Sequence, residues 1–194
     1  MDRVRILKQQ RVFNDVFAID EAVLEHRKHD GSWSGPTRQL CFERGDSVAV
    51  LLVKRETGAL VLVNQFRYPT HEKGPGWITE IVAGGLREGE SPEAAITREV
   101  REETGYEVEN LRPITTFYVS PGGTSERVLL FYGEVSEATR VAAGEGLGVG
   151  DEDIRVIETT PAELWDDTLA GRQQDAKTII ALLWWRLNYM NQGR

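Results

Sequence analysis

Residues 84–106 read GGLREGESPEAAITREVREETGY, and the helix inside that stretch organises the rest of the chain. Ser91 offers a side-chain oxygen for an N-cap, and Pro92 fits the first helical position. Gly105 fits the left-handed stop at the other end. These signals predict a helix over 92–103. Ala95, Ile96 and Val100 fall on one side of it, as a face packed on a sheet would. Elsewhere on its surface, Glu99 is followed three and four residues later by Glu102 and Glu103, which share its face. Like charges at this spacing repel by roughly 0.2–0.5 kcal/mol per pair on an open helix. The triplet alone allows two readings. It is either a solvated acidic face, or a set of hard oxygen ligands for Mg²⁺ or Mn²⁺, the ion holding a phosphate on its other side.

Working outward, Trp77–Val82 reads as a short strand running into Ala83-Gly84-Gly85, where small residues let a backbone come close to something. Ser47–Val53 is nearly all apolar, as a strand buried on both faces is. The turn Glu56-Thr57-Gly58 joins it to Ala59–Tyr68 as a hairpin. Residues 71–76 read as a loop. Strands are expected at 113–119, 127–135 and 154–158, and helices near 161–170 and 176–190. Before all these, residues 11–29 predict one or two strands and 38–43 another, so the first 40 or so residues form a candidate separate small sheet. The three histidines show no ligand spacing, and Trp184 and Trp185 read as packing for the last helix.

Composition narrows the function. The 194 residues carry 23 Lys and Arg against 31 Asp and Glu, a formal net charge of −8. That balance disfavours nucleic acid and anionic membranes as partners, since both require a basic footprint. A single cysteine, Cys41, excludes an intrachain disulfide framework and a Cys-based zinc site. The opening MDRVRILKQQ lacks the apolar centre of a signal peptide, so a reduced, cytoplasmic protein is expected. Seven glutamates against two arginines lie within residues 88–107. The acidity is therefore concentrated where a bound cation could recruit an anion.

The spacing of fixed residues separates the two readings of the acidic helix. Gly84, five residues, Glu90, seven residues, Arg98-Glu99-Val100, one residue, Glu102-Glu103, one residue and Gly105-Tyr106 together resemble the Nudix box. Seven such residue types coincide at a given start about once in 10⁸ to 10⁹ trials. The usual aliphatic last position holds Tyr106 here. The resemblance extends to Gln65-Phe66-Arg67-Tyr68-Pro69, Glu80-Ile81-Val82-Ala83-Gly84, Ser120–Glu126 and Asp151–Arg155, and Pro121 matches a marker of the ADP-ribose pyrophosphatase branch. GDP-mannose pyrophosphatases share most of these motifs.

The resemblance implies an α+β fold, an α/β/α sandwich around a mixed sheet, with an N-terminal β extension. It implies a β-rich, dimer-forming region over 1–44, a hydrolase domain over 45–194, and a homodimer. The implied reaction is divalent-metal-dependent hydrolysis of a nucleoside diphosphate sugar, ADP-ribose first and GDP-mannose second; a nucleotide-sugar sensor without catalysis is the alternative of a different class. Mg²⁺ is the implied ion, with Mn²⁺ possible. Its ligands would be Glu99, Glu102, Glu103 and the carbonyl of Ala83, with Glu152 from a loop. Arg98 would pair with a box glutamate, Glu90 first, and Gly84 and Gly105 would serve backbone geometry. Arg67, Arg38, Arg44, Gly122 and Glu126 are the implied substrate contacts. Glu103 and Glu126 join Glu152 as catalytic candidates. For the base, Glu152 leads, with Asp151, Glu145 and Glu126 as rivals, because Gly150 stands where relatives often carry an acid. Trp33 reads as turn or dimer packing more than as a base-stacking platform.

Overall fold

The computed structural model describes residues 3–141 and 153–189, in two compact units. The smaller unit comprises residues 1–46 and 118–127. Its three strands, β1 (Val4–Asn14), β2 (Ala18–His26) and β3 (Thr37–Glu43), form an antiparallel sheet in the order β1-β2-β3. β1 begins seven residues before the strand expected from residue 11. Its first half, VRILKQQ, lacks clean alternation because the whole strand is exposed. The segment 118–127 is fastened to β3: Phe42 N–H donates to the Gly123 carbonyl at 2.8 Å. Arg127 grips Asp46 through Nε and Nη2.

The larger unit holds the mixed sheet, β10-β5-β4-β9-β8. Its strands are β4 (Ser47–Lys54), β5 (Leu60–Phe66), β6 (Trp77–Glu80), β7 (Val82–Gly85), β8 (Glu109–Tyr118), β9 (Arg127–Val135) and β10 (Arg155–Thr159). β4 and β9 run parallel and the other registered pairs antiparallel. The helices are α1 (Tyr68–His71), α2 (Pro92–Thr104), α3 (Pro161–Leu169) and α4 (Ala176–Tyr189). Strand alternation sorts the core onto two faces. Val48, Val50, Leu52, Val61 and Val63 pack with Ala95, Ile96 and Val100 of α2. Ala49, Leu51, Leu60 and Leu62 pack with Leu164 of α3 and with Ala181 and Leu182 of α4. This is an α/β/α sandwich, and its central strands are apolar throughout because both faces are covered.

One local feature positions the box. β4 and β5 pair only at Leu52↔Val61 and Val53↔Leu60. Past that point β6 pairs with β5 and β7 with β4, so residues 77–85 enter the sheet between two diverging strands. The single strand expected over 77–82 is therefore two, broken at Ile81 where the pairing partner changes. Two further corrections concern ends. β5 stops at Phe66, and Tyr68–His71 is a helical turn led by Pro69, whose fixed φ suits a helix start. β8 starts at Glu109, four residues before the expected 113; Pro113 is tolerated inside it because β8 lies at the sheet edge.

Candidate functional site

Helix α2 is capped at both ends. Ser91 Oγ accepts from Ala94 N–H at 3.2 Å, and Gly105 takes φ 73°. The apolar face buries Ala95, Ile96 and Val100 and carries Glu103 and Thr104 inward with it. Glu103 is thus a carboxylate 7% exposed at the foot of the core. A carboxylate this deep is costly to bury unless a hydrogen-bonding partner or a cation compensates it.

Arg98 organises the other carboxylates. Its Nε and Nη2 donate to the two oxygens of Glu90 at 2.9 and 3.0 Å, a bidentate grip. Nη2 also donates to the Gly85 carbonyl at 3.3 Å. Nη1 donates to Glu99 at 2.6 Å and Glu102 at 3.3 Å, so one cationic nitrogen is shared by two of the three helix carboxylates. The Arg98 guanidinium holds the Glu90 carboxyl down at about 2. Burial pushes the Glu99 carboxyl up, against the pull of Arg98. The neighbour that requires glycine at position 84 is Glu99, whose carboxylate fills the space a Cβ would take, whereas Gly85 faces open space. Among the described residues no three acidic, histidine or cysteine side chains are gathered in a metal-holding arrangement. The donor chemistry nevertheless fits a hard divalent cation. Glu99 and Glu102 converge on a positive nitrogen that a metal could replace, with Glu103 buried on the same helix.

Next to the β5–β6 edge lies a second charged group. Glu80, buried at the end of β6, accepts from Arg67 Nε at 2.8 Å on one oxygen and from Lys177 Nζ at 2.8 Å on the other. Lys177 also reaches Asp175 at 2.6 Å. Burial acts to lower the Lys177 ammonium, and the two carboxylates more than offset it, so the group stays charged. Glu80, Asp175 and Lys177 were not among the site residues expected from the sequence. A signal existed: Glu80 sits in the apolar run WITEIV, and a buried acid requires a cation. Gln65, two residues before Arg67, is also buried, and its Nε2 has no hydrogen-bond partner among the described residues.

The smaller unit holds the remaining described candidates. Arg44 Nε stands 3.7 Å from Glu126 Oε1, and Arg44 lies over the Phe17 ring. Arg38 is bound to Glu21 and holds that carboxyl below its usual range. A Cβ on Gly122 would meet nothing within 4 Å. Trp33 is capped by the Arg5 guanidinium at 3.7 Å. Glu145, Asp151 and Glu152 lie outside the described residues.

With the box helix, its Arg98-bound carboxylates and the mixed sheet described, the class of protein follows from comparison. The NUDIX domain model matches residues 43–182. The chain belongs to the Nudix family and is a Nudix hydrolase. Its relatives narrow the branch. It is 34% identical over 187 residues to ADP-ribose pyrophosphatase of Escherichia coli (strain K12), covering 96% of this chain and 89% of that protein. It is 36% identical over 183 residues to GDP-mannose pyrophosphatase of Pectobacterium atrosepticum, covering 92% of each. GDP-mannose pyrophosphatase of Cronobacter sakazakii is 35% identical over 181 residues, covering 92% of this chain and 93% of that one. No helix among the described residues is long and apolar enough to cross a membrane.

Proposed function

We propose that this chain hydrolyses the pyrophosphate of a nucleoside diphosphate sugar, with ADP-ribose first, yielding AMP and ribose 5-phosphate. The observation that carries this reading is the near full-length match to pyrophosphatases of that substrate class, joined to a box helix whose carboxylates converge on one cation. GDP-mannose is the second reading, favoured by relatives of comparable identity that carry that name.

Nudix hydrolases depend on a divalent metal; Mg²⁺ is the proposed ion, with Mn²⁺ as its substitute. Glu99, Glu102, Glu103, the Ala83 carbonyl and Glu152 are proposed to hold it. When bound, it supplies charge neutralisation for the pyrophosphate and acidifies the attacking water. The chain's own residues do the rest. Glu90 holds Arg98, and Arg98 holds the carboxylates of Glu99 and Glu102 in position. Arg67 offers its exposed guanidinium to phosphate. Arg38, Arg44, Gly122 and Glu126 contact the substrate. Glu152 takes the proton from the attacking water, with Asp151, Glu145 and Glu126 as rivals for that task.

The region 1–44 is proposed to form a homodimer and 45–194 to be the hydrolase domain. Support comes from Ile6, Leu7, Val12, Phe13 and Val16, all more than 45% exposed. A cytoplasmic location is proposed, and the acidic balance supports a protein that engages neither nucleic acid nor anionic membrane. The deciding experiment incubates the protein with Mg²⁺ and a panel of nucleotide sugars, then detects phosphomonoester products. ADP-ribose is expected to be cleaved fastest. No product from any panel member would refute the enzymatic reading.

A further inference from the structure

We propose that Lys177 is a positioning residue for the substrate phosphate, acting through Glu80 on Arg67. The inference rests on the reading of Arg67 as a phosphate contact and adds a residue to it. Three observations carry it. Glu80 is a 4% exposed carboxylate shared by two cations, one oxygen to each. Arg67 is held through Nε alone, and among the described residues neither of its terminal nitrogens donates a hydrogen bond. The Arg67 side chain is 41% exposed and that of Lys177 19%, so a more open cation and a half-buried one sit on opposite oxygens of one acid.

The geometry has a chemical consequence. A carboxylate facing a lone arginine favours the bidentate contact, which occupies two of the guanidinium nitrogens. Lys177 donates to Glu80 Oε2, and Arg67 contacts Oε1 through Nε. Arg67 is thereby oriented by one nitrogen and keeps its terminal pair for an incoming oxyanion, the pyrophosphate of a nucleoside diphosphate sugar.

The anchor is itself fixed. Asp175 Oδ1 accepts from Lys177, and its Oδ2 accepts from the Thr178 N–H and hydroxyl at 2.9 and 2.6 Å. Thr178 Oγ1 accepts in turn from Ile81 N–H at 2.9 Å. The first turn of α4 is therefore tied to the residue that follows Glu80. A purely structural role would be to pin α4 to β6, and Thr178 and Gln173, which donates to the Thr79 carbonyl, already do that.

The test is steady-state kinetics on the full chain with Mg²⁺ and ADP-ribose or GDP-mannose, whichever is cleaved, for Arg67→Ala, Lys177→Met and the double variant. Arg67→Ala is expected to raise KM about tenfold or more. Lys177→Met is expected to raise KM by a comparable factor, with kcat within about threefold of the parent. In the double variant KM should be no higher than for Arg67→Ala alone, because Lys177 acts only through Arg67. Parent-like KM for Lys177→Met beside a raised KM for Arg67→Ala would overturn the inference and leave the Arg67 reading standing. Parent-like KM for Arg67→Ala would overturn that reading itself. Multiplying effects in the double variant would mark Lys177 as a structural pin and overturn the inference. Should Lys177→Met fail to fold, Lys177→Gln, uncharged but polar, decides by the same criteria.

Discussion

Gly84 and Glu99 compete for one volume: a Cβ built on Gly84 stands 1.9 Å from Glu99 Oε1 and 2.6 Å from its Cγ. A methyl group cannot coexist with the carboxylate in that place, so Gly84→Ala must move the Glu99 side chain. The displaced atoms are the far end of a flexible side chain, and the fold should accommodate them. Turnover is expected to fall by about tenfold or more, with the thermal midpoint changing by only a few degrees. Parent-like kcat at saturating metal would show that Glu99 need not occupy that position.

Glu103 tests the box more directly. Its carboxylate is carried inward by the same face that buries Ile96 and Val100. Glu103→Gln keeps the shape and removes the charge. Turnover should drop by about two to three orders of magnitude, in the range of losses when one charge-stabilising group is removed from a site, while circular dichroism and melting remain close to the parent. Near-normal turnover would refute Glu103 as a ligand.

The Arg98–Glu90 pair predicts a pH dependence of stability. The Glu90 carboxyl is held at about 2 by the Arg98 hydrogen bonds, well below the usual carboxylate range. A depressed folded value contributes stability that is complete above the unfolded value, near 4.5, and is lost as pH falls toward 2. Thermal midpoints of the parent and Glu90→Gln should therefore differ most above about pH 5 and converge as the pH drops to about 2. A gap that stays constant over that range would show that ionisation of Glu90 does not stabilise the fold.

These predictions divide according to what the sequence made legible. Helix α2 was readable because its signals are local: Ser91, Pro92 and Gly105 cap it, and the charge spacing lies on a single helix. The buried strand β4 was readable from seven consecutive residues. The split of residues 77–85 was not, because WITEIVAGG carries no break; the break arises where β4 and β5 diverge and offer different edges. The Lys177–Glu80 contact spans 97 positions and joins two apolar-looking segments, so no local pattern announces it. Gln65 shows the same limit, its burial depending on neighbours remote in sequence.

Tyr106 departs from the aliphatic residue usual at the end of the box, and the structure gives it a partner. Its ring is 1% exposed within the α2-side core, and its hydroxyl donates to Glu137 at 3.1 Å. Glu137 also pairs with Lys54. Tyr106→Phe removes one hydrogen bond to a charged acceptor and should destabilise the fold by about 1–2 kcal/mol. Urea denaturation with an unchanged slope measures this. A stability equal to the parent would mean that the hydroxyl is merely tolerated there.

The oligomeric state tests the smaller unit. Strand β1 is exposed along its full length, yet it carries Val4, Ile6, Leu7, Val12 and Phe13. Aliphatic and aromatic side chains on a sheet edge are a hazard unless something covers them. A second copy of the chain is the proposed cover, so light scattering should give twice the chain mass. Introducing charge at two of these positions, Ile6→Glu with Phe13→Glu, should shift the protein to monomer. The larger unit has its own two-faced core, so its melting transition should persist in that variant. A parent that is monomeric at micromolar concentration would overturn the dimer. A variant that remains dimeric would place the interface elsewhere.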